Sequence, residues 1–205
     1  IAEFGRSLPH ETYRVLVLGT SQTWGEGANS RSDQMVCQLH KTLASHVAAD
    51  SDQELTTINA AIRGSDSTEL IQRYVDRLHL LKPDVVVVNL SHIDSYRDSA
   101  VFASNLAKLV EFSKSQGSVL LFVQEANSSE TDAERLAVLQ EHHRIMRDIA
   151  GEHKVNCSDL HGYLSGSEIR DSGLLWWDYV HLTSYGHELA GEFLARHIAA
   201  ELSKR

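Results

Sequence analysis

Four short runs rich in Val, Ile and Leu punctuate the chain at residues 13–18, 55–61, 84–90 and 118–124, each closed by turn-forming residues. Continuous apolar runs of this length suit strands buried on both faces, not the alternation of a half-solvated sheet. A fifth, weaker run covers 154–160. Between them, apolar positions recur at helical spacing over 33–49, 67–81, 100–115, 130–150 and 183–203. Strand and helix therefore alternate five times, which predicts right-handed crossovers and a parallel sheet with helices on both faces. The expected fold is α/β, a three-layer α/β/α sandwich around a five-stranded parallel sheet. In open sheets of this kind ligands bind outside the carboxyl ends of the strands. The loops after Leu18, Ala61, Leu90, Gln124 and Leu160 are therefore the places to read for chemistry.

The length of 205 residues suits one domain, expected over 11–205. Residues 1–10 read as an N-terminal extension in which Glu3-Phe4 matches the dipeptide encoded by a common cloning site. No run reaches the 18 or so apolar residues of a membrane span, and no signal peptide opens the chain. The chain as given is expected to be soluble, and cytoplasmic residence and export after removal of a signal or anchor both stay open. Lys and Arg number 19 against 28 Asp and Glu, a formal charge of −9, which opposes attraction to nucleic acid. The two cysteines, Cys37 and Cys157, make neither a disulfide framework nor a metal-ligand pattern and read as small buried hydrophobes. No metal site and no cofactor is expected. Oligomeric state cannot be read from the residues. Twelve histidines remain, each a candidate base, ligand or plain surface group.

The first strand runs into Gly19-Thr20-Ser21-Gln22-Thr23-Trp24-Gly25-Glu26-Gly27. Ser21 is thus presented at the ligand edge, among glycines that permit close backbone approach. A phosphate loop would need a Lys-Ser or Lys-Thr pair opening the next helix, and the G-x-G-x-x-G dinucleotide fingerprint is missing. The plain alternative is that Ser21 and Thr23 only cap turns. Near the other end, Asp178 and His181 stand three apart in the loop before the last helix. That spacing lets the carboxylate hold one imidazole nitrogen protonated and leaves the other to accept a proton from a hydroxyl. The spacing alone is weak, since Asp76 and His79 repeat it inside a helical stretch where a surface pair is expected. What distinguishes Asp178 and His181 is their loop, on the same sheet edge as Ser21.

With these residues the chain resembles the GDSL or SGNH hydrolases, serine esterases and lipases on a flavodoxin-like three-layer fold. The family's block G-D-S-x-T-x-G-x-G is similar to residues 19–27, with Thr20 where aspartate is usual. Its second block, an asparagine and a glycine after the second strand, falls on Asn59 and Gly64, and its third, G-x-N-D, on Ser91-His92-Ile93-Asp94. D-x-x-H-L-T-x-x-G-H matches 178–187 at every named position. The resemblance implies Ser21 as nucleophile, His181 as general base and Asp178 as its orienting acid. It also implies an oxyanion hole formed by the backbone N–H groups of Ser21 and Gly64. The family's third donor would be the side chain at Ile93, which cannot donate. Either Asn89 or His92 fills that place, or the enzyme is slow, or it is specialised for an acyl group needing less help.

Trp24 and Trp177 are candidates for the substrate pocket, with core packing as the alternative, and Trp176 lies beside them. His142 and His143, among Glu141, Arg144 and Asp148, read as a solvated helix face. His10, His40, His46, His79, His153 and His197 read as surface or edge groups, and His187 as a residue steadying the last helix. The expected substrate is a small-molecule or carbohydrate ester with a short acyl group. The negative charge favours a neutral one. The rival is a weakly active or non-hydrolytic relative, a binding module or an acyltransferase, because of Ile93.

Overall fold

In a computed structural model, the residues described are 12–50, 54–127, 133–166 and 174–203. The N-terminal extension and the expected helix start at residue 130 lie outside them. Five strands, β1 (Thr12–Gly19), β2 (Glu54–Asn59), β3 (Val85–Leu90), β4 (Val119–Gln124) and β5 (Asn156–Ser158), form one parallel sheet in the order β2-β1-β3-β4-β5. The helices are α1 (Ser21–Trp24), α2 (Met35–Asp50), α3 (Ser67–Asp76), α4 (Ser99–Ser115), α5 (Ala133–His153), α6 (Leu160–Ser165) and α7 (Ser184–Leu202).

The period-2 geometry of each central strand divides its side chains between two layers. Val15, Val17, Val85, Val87, Leu121 and Val123 face one core, under Leu39 and Leu43 of α2 and Phe193 and Ile198 of α7. Leu16, Leu18, Val86, Val88, Leu120 and Phe122 face the other, under Leu70 of α3, Phe102 and Leu106 of α4 and Met146 of α5. This two-sided burial is why β1, β3 and β4 read as continuous apolar runs.

Three elements differ from the reading of the sequence. β2 is only half-buried because it is the edge strand, and it ends at Asn59. The weak run at 154–160 supplies only three strand residues, because Asp159 accepts the Gly162 N–H and caps a new helix, α6, that starts at Leu160. The helical stretch at 67–81 breaks at Arg77 and continues as a 3-10 turn, Leu78–Leu81, ending before Pro83.

The strand order reverses between β1 and β3, and this switch point opens a crevice at their carboxyl ends. The β1 loop carries Ser21 and the β3 loop carries residues 91–94. At Gly27 (φ +89°) an added Cβ would lie 2.3 Å from the Leu182 carbonyl oxygen, so only glycine lets the first loop meet the loop before α7.

Candidate active site

Thr20 follows β1 in extended conformation, and Ser21 opens the single turn α1, which a left-handed Gly25 terminates. The turn is braced from below on three sides. Asn89 donates its amide to Thr23 Oγ1 at 3.0 Å, Asn59 donates to the Thr23 carbonyl at 3.0 Å, and buried Gln22 donates to the carbonyls of Ala126 and Val180 at 2.9 and 2.7 Å. Gln22 thereby ties the first loop both to the end of β4 and to the loop before α7.

Asp178 and His181 come to Ser21 across 160 positions of sequence. Asp178 Oδ1 accepts the backbone N–H groups of Val180 and His181 at 2.8 and 2.7 Å, forming the tight turn that the three-residue spacing requires. Its Oδ2 lies 2.7 Å from His181 Nδ1, and His181 Nε2 lies 2.9 Å from Ser21 Oγ. Burial alone would raise the Asp178 carboxyl, but the bonds from the His181 ring and the two backbone N–H groups outweigh it and hold its pKa low. An ionised carboxylate only accepts, so Nδ1 carries the imidazole proton and Nε2 presents a lone pair to the serine hydroxyl. The arrangement can draw a proton from Ser21 as its oxygen attacks an electrophile. By contrast, Asp76 takes a bond from Gln72 and His79 bonds the Tyr74 carbonyl, so the same spacing in a helix makes no such pair.

Among the described residues, neither the Ser21 N–H nor the Gly64 N–H has a hydrogen-bond partner. Gly64 sits at φ +73° with open space where a Cβ would be. Its loop is held by Asp94, whose buried carboxylate accepts the Ser67 N–H with both oxygens at the start of α3. Ile93, beside it, offers only hydrocarbon. Asn89 is fully buried and its amide is engaged with Thr23, so it braces α1 and does not reach the cleft. His92 lies towards β4 and the loop before α7. Its Nδ1 is 3.2 Å from the Asn127 amide, and its ring centroid is 5.9 Å from that of Tyr179.

Packing does not account for Trp24 or Trp177, which are 45% and 68% exposed. Trp24 lines a cavity of about 930 Å³ between α2 and β2. Trp176 instead packs half-buried against the core, and its backbone pairs with Leu182.

One reading of the histidines is corrected. His142 and His143 are buried, because α5 turns that face to the sheet. His143 Nε2 lies 2.9 Å from Ser91 Oγ, and burial, with His161 beside it, brings its pKa down to about 3. His187 is buried and donates to the Glu26 carbonyl at 2.9 Å, joining α7 to the first loop. His40, His79, His153 and His197 are half-exposed and His46 is exposed, while His10 lies outside the described residues. Cys37 and Cys157 are unbridged and only partly buried.

Glu125 went unread in the sequence. It is fully buried just after β4, accepting the Thr20 hydroxyl on one oxygen and the His92 N–H, at 2.9 Å, on the other. The carboxylate absent from position 20 is thus met from β4. Ser91, at the glycine position of the third block, is held at φ +155°, a backbone region that costs L residues free energy. Its bond to His143 helps to fix that loop. Burial pushes the Glu125 pKa from 4.5 to about 7, against the bonds from Thr20 and His92. Below pH 4.5 the group is protonated in folded and unfolded chains alike. As pH rises through about 7, the unfolded chain gives up the proton more readily, so the folded state loses stability. Glu125→Gln cannot ionise, and its stability relative to wild type should rise between pH 5 and 8 by up to about 3 kcal/mol. Parallel melting curves for the two proteins across that range would contradict this.

The strand order is that of a flavodoxin-like, doubly wound α/β fold, with the Ser21, His181 and Asp178 chain at its switch point. Residues 17–189 match the family described as GDSL-like Lipase/Acylhydrolase, and the chain belongs to that family. Among solved structures, a lipase/acylhydrolase from Enterococcus faecalis is 20% identical with a TM-score of 0.77, over 92% of this chain and 96% of that one. An acetyl xylan esterase, also 20% identical, gives a TM-score of 0.78 over 90% and 99%. An acetylxylan esterase from Geobacillus stearothermophilus, 18% identical, gives 0.75 over 91% and 94%. No curated protein matches the sequence. Among the described residues, no helix is long and apolar enough to cross a membrane.

Proposed function

We propose that the protein is a serine esterase that cleaves carboxylic esters of short acyl groups, acetylated carbohydrates among them, through an acyl-serine intermediate. The observation that carries this reading is the continuous hydrogen-bonded order Ser21, His181, Asp178 at the mouth of the sheet's switch point. Ser21 Oγ attacks the carbonyl carbon while His181 Nε2 takes its proton. The carbonyl oxygen becomes an oxyanion that accepts from the Ser21 and Gly64 N–H groups, two donors fixed before the reaction starts. Collapse breaks the bond to the alcohol, which leaves with the proton from His181. Water then gives a proton to His181 and attacks the acyl-serine, and the bond to Ser21 Oγ breaks as His181 returns that proton to it, releasing the acid.

The acetylxylan esterases of similar fold support the choice of short acyl groups. A turnover profile across two-, four- and eight-carbon nitrophenyl esters and an acetylated sugar tests it. The two-carbon ester and the sugar should be turned over fastest, and reaction of the eight-carbon ester alone would contradict the proposal.

Ile93 favours a second reading in part, that of a slow enzyme. One missing oxyanion donor typically lowers kcat by about 10²–10³. Installing it with Ile93→Asn should raise kcat on nitrophenyl acetate by about tenfold or more, and an unchanged kcat would show that two donors suffice.

A further inference from the structure

We infer that His92, Tyr96 and Tyr179 form the subsite that holds the alcohol part of the ester, and that this part is a sugar ring. The inference rests on the esterase reading above. His92 is 94% buried, being only 6% exposed, yet one of its nitrogens is left for a ligand. Its Nδ1 accepts from the Asn127 amide, so the ring proton sits on Nε2. Burial first, then Arg135 and His181, bring its pKa down to about 4, so the ring is a neutral donor at pH 7. Among the described residues, Nε2 has no hydrogen-bond partner, and it is not sealed from solvent. A buried imidazole held in one tautomer with an open N–H is a built hydrogen-bond donor.

The walls of this subsite are aromatic. Tyr96 and Tyr179 stand 54% and 53% exposed, with ring centroids 5.6 and 5.9 Å from His92. The Arg135 guanidinium lies over the Tyr96 ring at 3.6 Å and steadies it. Aromatic faces stack on the C–H faces of a pyranose, and a neutral N–H matches a sugar oxygen. A plain alkyl alcohol would leave that N–H unpaired, which costs binding.

The side of the site fixes which half of the ester is held. His92 touches Asn127 after β4 and Tyr179 beside Asp178, and the charges of His181 and Asp178 act on its ring. Among the described residues, none of its hydrogen bonds or ring contacts is with the loop that carries Gly64. The leaving alcohol must take its proton from His181, so it lies on this side, and the carbonyl oxygen lies on the Gly64 side.

The test compares kcat/KM for an acetylated xylo-oligosaccharide with kcat/KM for nitrophenyl acetate in wild type, His92→Ala, His92→Gln and Tyr179→Ala. The sugar-to-nitrophenyl ratio should fall about tenfold or more in His92→Ala and Tyr179→Ala. His92→Gln should recover part of it, since its amide can still donate. A ratio that is unchanged in both alanine variants overturns the inference. So does an equal loss of about 10² on both substrates in His92→Ala, which would assign the ring to the oxyanion. A wild type that cleaves nitrophenyl acetate but not the acetylated sugar overturns the subsite alone. One that cleaves neither overturns the esterase reading with it.

Discussion

Ser21→Ala should lower kcat on nitrophenyl acetate by about 10⁴-fold or more while leaving the protein folded. The hydroxyl makes one hydrogen bond, to His181, and the residue is half-exposed. Its loss removes the atom proposed to form the acyl intermediate but little packing, so stability should shift by about 0.5 kcal/mol or less. Any residual rate would come from the Ser21 and Gly64 N–H pair, as triad-deleted hydrolases retain catalysis from the oxyanion hole and binding alone. Turnover within tenfold of wild type, in a variant of unchanged melting temperature, would place the nucleophile elsewhere.

Asp178→Asn should cost about 10³–10⁴ in kcat, again with the fold intact. The asparagine oxygen can still accept the Val180 and His181 N–H groups that shape the turn. Its amide nitrogen, however, would face His181 Nδ1 as a donor and draw the imidazole proton to Nε2. That tautomer has no lone pair for Ser21. Steady-state kinetics beside a thermal melt separate the two effects, and a loss below tenfold would show that Asp178 does not set the tautomer.

The residues that make this site were legible because they sit at chain-local landmarks. Ser21 follows an apolar strand, and Asp178 and His181 lie in a loop where three-residue spacing closes a turn. The duplicate at Asp76 and His79 shows that position in the fold, not the motif, makes the pair. The central strands were legible for the same reason, since β1, β3 and β4 are buried on both faces and leave an unbroken apolar run. What stayed hidden depended on partners far along the chain. Glu125 finds the Thr20 hydroxyl 105 positions away, and His143 finds Ser91 at 52. A polar side chain with such a partner can be buried in a stretch that reads as solvated. The single turn α1 and the short α6 were hidden because one or two turns leave no helical period to detect. An acid directly after a buried strand, at the ligand edge of the sheet, was the one signal that would have marked Glu125.

The central claim is that His181 activates Ser21 as a nucleophile. A fluorophosphonate tests it most directly, because it modifies only a hydroxyl that behaves as one. Intact-mass measurement and peptide mapping should find a single adduct on Ser21 in wild type, none in Ser21→Ala, and labelling slowed about 10³-fold or more in His181→Ala. Folded wild-type protein with no adduct on Ser21, or labelling at the same rate without His181, would contradict it.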